Sequence, residues 1–124
     1  MTAVFASAYI HAMDLEQAAS QLEALGNPTR LTIYRVLVRA GAEGMPVGRI
    51  QERLGIPAST LSHHCKRLVE TGLIGQERQA TSLICRAQYP AMQALIDFLS
   101  DQCCVEGSQP ERFAGHQHKA PIRD

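Results

Sequence analysis

Residues 58–87 constrain the fold more than any other part of the chain. Spaced at 100° per residue, Leu61, Cys65, Leu68 and Val69 fall on one side of a helix, and Ser59, His63, Lys66, Arg67 and Glu70 on the other. Gly55-Ile56-Pro57 leads into this segment, Ser59 or a neighbour is the expected N-cap, and Gly72 ends it. Residues 73–78 and 82–87 then read as two short strands of a hairpin. Its polar tip, Gln79-Ala80-Thr81, lacks the glycine that a tight turn favours.

Three helices are expected before this segment and one after it. From Asp14, the apolar residues Leu15, Ala18, Ala19, Leu22 and Leu25 recur at intervals of three and four until Gly26. Asn27-Pro28 supplies a cap and a first-turn proline for a second helix with Ile33, Tyr34, Leu37 and Val38 inward, stopped by Gly41 and Gly44. After Met45-Pro46 comes a helix of little over two turns with Ile50 and Leu54 on one side. Tyr89-Pro90 opens the last helix, whose stripe is Met92, Leu95, Ile96, Leu99 and Cys103. From Gly107 there is no periodicity, and an unstructured tail is expected.

Two short helices joined by a tight turn, the second polar and basic on its outer face and followed by a hairpin, are the order of a winged helix-turn-helix. The expected fold is mainly α with a small β-hairpin, about five helices plus a two-stranded wing. One domain over 1–106 would bind DNA and dimerise, with 107–124 as the tail. Overall charge is zero, 12 basic against 12 acidic residues, which by itself argues weakly against nucleic acid. The distribution differs: residues 47–88 hold six basic and three acidic groups. A helix entering the major groove must carry short hydroxyls, imidazole and cations that reach base edges and phosphates. Ser59, Thr60, Ser62, His63, Lys66 and Arg67 meet that requirement, and Arg78 near the hairpin tip is placed for a phosphate or the minor groove.

Residues 24–33 and 61–74 together resemble the ArsR/SmtB metal-responsive repressors. The first looks like their second-helix signature and the second like their recognition helix running into the wing, and the likeness spans roughly residues 15–100. The resemblance implies a homodimer built on the first and last helices, operator binding without inducer, and release when a ligand binds. This chain departs from the family in three places. Residues 47–54 hold no cysteine pair, the last helix has no histidine for a zinc site, and Ala80 stands at the wing tip.

The inducer must therefore be argued from four cysteines. No apolar run is long enough for a bilayer and the opening residues lack a secretory pattern, so a soluble cytoplasmic protein with free thiols is expected. Cys65 reads as a small core residue. Adjacent Cys103 and Cys104 cannot both lie on one apolar stripe, which points to a ligand role. Soft thiolates select thiophilic ions: trivalent arsenic or antimony takes three sulfurs, Cys85, Cys103 and Cys104, and methylated trivalent arsenic needs two. No cofactor is required on this reading. The alternative is a thiol redox or persulfide sensor on the same scaffold. An enzyme is rejected, because no phosphate loop or nucleophile motif is present. His116 and His118 in the tail read as solvated, and His64 as a packed helix residue.

Overall fold

The computed structural model describes residues 13–108. Helix α1 (Leu15–Leu25) begins where the Asp14 carboxylate accepts the Gln17 amide at 2.9 Å. Asn27 caps α2 (Pro28–Ala40) in the same manner, accepting the Arg30 amide at 3.0 Å. A short 3-10 turn (Gly41–Glu43) leads to strand β1 (Met45–Pro46), then α3 (Val47–Leu54) and α4 (Ala58–Glu70). Strands β2 (Ile74–Gln79) and β3 (Ser82–Ala87) follow, and α5 (Tyr89–Ser100) closes the order. Among the described residues, five α-helices and an antiparallel sheet form a winged helix-turn-helix, as the amphipathic patterns require.

The sheet has three strands, not two, in the order β1-β3-β2. Met45 and Gln76 both lie opposite Cys85, from the two sides of β3. A two-residue strand has too few side chains to show alternation, so Met45-Pro46 gave no signal in the sequence. Pro46 is tolerated because β1 is an edge strand with one free side. Gly44 makes the approach possible: its φ is +72°, and a Cβ there would stand 2.5 Å from the Cys85 carbonyl oxygen.

Ile33, Leu37, Ile50, Leu61, Leu68, Leu73 and Ile74 form the fully buried centre, and Cys65 and Cys85 are packed among them. Helix α4 ends in a Schellman motif. Gly72, at φ +81°, donates to Val69 O, and the Leu73 amide donates to Leu68 O.

Three local expectations are corrected. The N-cap of α4 is Pro57, with no side-chain cap bond, so Ser59 is left as an exposed helical residue. Val69 is 37% exposed rather than core, because β2 and β3 cover Leu61, Cys65 and Leu68 but leave that side of the helix open to a cleft. Helix α5 stops at Ser100, since Asp101 turns to ψ 134°; Cys103 and Cys104 lie in the turns beyond it. The expected tail falls outside the described residues from 109 onward, and with it His116 and His118. Among the described residues, no helix is long and apolar enough to cross a membrane.

Candidate nucleic-acid interface and cysteine sites

Helix α4 presents Ser59, Ser62, His63, Lys66 and Glu70 outward, with Thr60 and Arg67 half-buried at the sides of that face. Its first-turn amides have no side-chain acceptor, so the positive end of the helix points outward uncapped. Arg78 is exposed near the wing tip, across from Leu83 in the hairpin register. It shares a cleft of about 500 Å³ with Arg49, Glu52 and Thr81, between α3 and the wing. Arg49 was not among the candidates from sequence; its position on a short, charged helix carried no signal, and only the packing of α3 beside the wing sets it next to Arg78.

Arg67 is not free. Its guanidinium pairs with Glu23 of α1, which holds the Glu23 carboxyl below its ordinary range. Two further bonds tie α1 to the reader. Buried Gln21 donates to the Thr71 carbonyl at 2.9 Å, at the end of α4. Arg30 donates to the Ala24 carbonyl at 2.7 Å and lies 3.4 Å from His64 Nδ1. Partial burial, and then the nearby Arg30 charge, keep the His64 pKa below the ordinary imidazole value.

The four cysteines fall into two pairs. Cys103 and Cys104 bring their sulfurs within 3.2 Å at the surface. The Cys104 thiol is raised above its ordinary value, chiefly by its hydrogen bond with Cys103. Cys65 and Cys85 are both buried in the same core cluster, one on the inner face of α4 and the other on β3. The Gln76 amide also donates to the Cys85 sulfur, at 3.3 Å. The nearby Cys85 thiol, and then burial, push Cys65 up, and the nearby Cys65 thiol, with the Gln76 amide, lowers Cys85. Among the described residues of one chain, no three His, Cys, Asp or Glu side chains gather around a single point. Cys103 and Cys104 are thus brought together, while Cys85 shares the core cluster with Cys65.

Comparison with known proteins places this architecture. A helix-turn-helix domain family matches residues 25–77. The HTH-type transcriptional regulator YgaV of Escherichia coli is 34% identical over 89 residues, covering 72% of this chain and 88% of that protein. An ArsR-like transcriptional regulator from Rhodococcus sp. RHA1 has the same fold, with a TM-score of 0.65 over 85% of this chain and 93% of that one, at 20% identity. The chain belongs to the ArsR family of winged helix-turn-helix transcriptional regulators. The homodimeric winged helix-turn-helix domain Mb0332 of Mycobacterium bovis shares the fold too, at 23% identity and a TM-score of 0.56, over 77% of this chain and 89% of that domain. In this ArsR-family regulator α4 is the recognition helix and the three-stranded sheet is the wing. The family is one of DNA-binding regulators and not of enzymes.

Proposed function

We propose that this regulator is a homodimeric repressor that holds operator DNA and lets go when a trivalent arsenical binds its thiolates. Arsenite, methylated arsenite or antimonite would be captured first by Cys103 and Cys104, with Cys85 as the third sulfur. One observation carries the trigger: the sulfurs of exposed Cys103 and half-buried Cys104 stand 3.2 Å apart just beyond the helix whose outer face is apolar. A methylated trivalent arsenic needs two sulfurs and keeps its methyl group, so this pair offers a complete minimal site.

On the DNA side, Ser59, Thr60, Ser62 and His63 take base edges and Lys66 and Arg78 take phosphates, with Arg49 beside Arg78. Arg67 joins them only by leaving Glu23. The homodimer is supported by the exposed apolar residues of α1 and α5 and by the homodimeric Mycobacterium bovis domain of like fold. Ligation beside α5 acts on the reader through α1, whose Gln21 and Glu23 grip α4. An allosteric coupling of about 1–3 kcal/mol changes operator affinity about 5- to 150-fold.

The test is release of a labelled operator at fixed salt, titrated with arsenite and with methylated arsenite. Wild type should release, and a Cys103→Ser/Cys104→Ser double variant should not; Cys85→Ser should release less to arsenite. If both variants respond to either arsenical as wild type does, the proposed inducer site is wrong.

A further inference from the structure

We propose that Arg49 and Arg78 form a clamp for one phosphodiester of the bound DNA, which makes α3 a DNA-contacting element and fixes the wing to the backbone. The inference rests on the DNA-binding side of the proposed function, which it deepens, and not on the arsenical trigger. Arg49 is in the first turn of α3 and Arg78 near the end of β2; both are exposed, and they line the same cleft of about 500 Å³. Thr81 and Ser82 of the hairpin line it as well, so two hydroxyl groups join the two guanidinium groups. Gly48 forms part of the α3 wall, and a Cβ placed there would meet nothing within 4 Å, so that side is open for a strand to pass.

Pairing separates these two arginines from their neighbours. Arg86, on the strand beside Arg78, is engaged within the fold: it pairs with Glu77 and donates to the Ala42 carbonyl at 2.9 Å. Arg67 is held by Glu23. Arg49 and Arg78 form no ion pair among the described residues, although Glu52 lines their cleft. A guanidinium carries its N–H donors in a rigid fork that matches phosphate geometry, and here two such forks lie in one cleft with that capacity unused.

The charges of the cleft select its occupant. Two guanidinium groups and one carboxylate leave it a net charge of +1, which the single negative charge of a phosphodiester neutralises. A phosphomonoester carries about 1.5 to 2 negative charges near pH 7 and would leave an excess facing Glu52. The occupant is therefore the DNA backbone, held between α3 and the wing while α4 lies in the major groove. Removing either arginine leaves the other balanced by Glu52, so both are needed to neutralise the phosphate.

The test uses the full chain and a fluorescein-labelled duplex that the wild-type protein selects from random sequence, with affinity read by anisotropy over a series of salt concentrations. Arg49→Ala and Arg78→Ala should each lower affinity about tenfold and flatten the salt slope by about one. Both side chains are exposed, so the circular dichroism of the variants should match wild type. The double variant should flatten the slope by about one and not two, because both arginines serve the same phosphate. Arg49→Lys should keep the slope, and Glu52→Gln should raise affinity up to about fivefold. Neutral methylphosphonates placed at successive single positions then locate the contact. One position should weaken wild type and leave Arg49→Ala and Arg78→Ala alike unaffected. The clamp is overturned, with DNA binding left standing, if Arg49→Ala binds as wild type does while Lys66→Ala loses slope, or if the two arginines map to different phosphates. It is also overturned if inorganic phosphate raises the melting temperature of wild type but not of the double variant, which makes the cleft a free-anion site. A wild-type chain that selects no duplex removes the DNA-binding reading and the clamp together.

Discussion

Tyr34 is buried, and its hydroxyl has no hydrogen-bond partner among the described residues. Burial first, and then the neighbouring Tyr89, push its pKa up to about 12 from 10.0. The sign follows from proton counting. Between those two values the unfolded chain has released the phenol proton and the native chain has not, so stability falls as pH rises through that window. Tyr34→Phe should remove that part of the alkaline loss and, by deleting an unsatisfied polar group, raise stability near pH 7 by about 1 kcal/mol. Denaturant midpoints at neutral pH and above pH 10 would check both. The residue scale also separates two cations that look alike in the sequence. Lys66 is exposed and unpaired among the described residues, whereas Arg67 is held by Glu23. Lys66→Ala should therefore lower the salt slope of operator binding by about one, and Arg67→Ala by less. Glu23→Gln should raise operator affinity by freeing Arg67. Equal slopes for the two alanine variants, read by fluorescence anisotropy, would contradict the assignment.

At the scale of elements, the wing is where local chemistry and fold disagree. Ala80 takes φ +56° at the hairpin tip, the left-handed region that costs a residue with a Cβ about 1 kcal/mol or more. Ala80→Gly should stabilise the protein by about 1 kcal/mol. A change of opposite sign is expected at Gly44, where a Cβ would strike the β3 backbone at Cys85. Gly44→Ala should destabilise by about 2–3 kcal/mol and loosen β1 from β3, seen as lost amide protection at Met45. Thermal melts of the pair distinguish the two glycine arguments, since only the second involves a clash. The wing hairpin itself was legible in the strand pattern of residues 73–87. Its third strand was not, because β1 is defined by what it pairs with rather than by its own side chains.

At the scale of the molecule, the described residues leave apolar side chains of α1 and α5 uncovered. Leu15 is 73% exposed, Leu22 42%, Ile96 49% and Leu99 59%, on α1 and α5, which pack side by side. The leucine stripe of α1 is rotated away from its buried face, made by Ala18, Gln21 and Ala24, so among the described residues these leucines are left uncovered, as the proposed homodimer requires. Sedimentation at micromolar concentration should show a dimer, and Leu15→Glu/Leu99→Glu should give a folded monomer with weaker operator binding. Two recognition helices would then lie about 34–36 Å apart, one turn of DNA. A wild-type monomer would contradict this.

Local periodicity and the glycine and proline stops were enough to place the five helices of the described residues, the hairpin and the polar outer face of α4, because they depend on residues two to four apart. The vicinal thiols were equally plain in the sequence, though not their place beyond α5, which a single turn at Asp101 decides. Pairings across long separations had no local signal. Glu23 meets Arg67 44 residues away, Gln21 meets Thr71 50 away, and Arg30 meets His64 34 away. Cys65 alone reads as an ordinary small core residue. Only the packing of α4 on the wing sets it in one core cluster with Cys85, because α4 and β3 meet through side chains far apart in the chain.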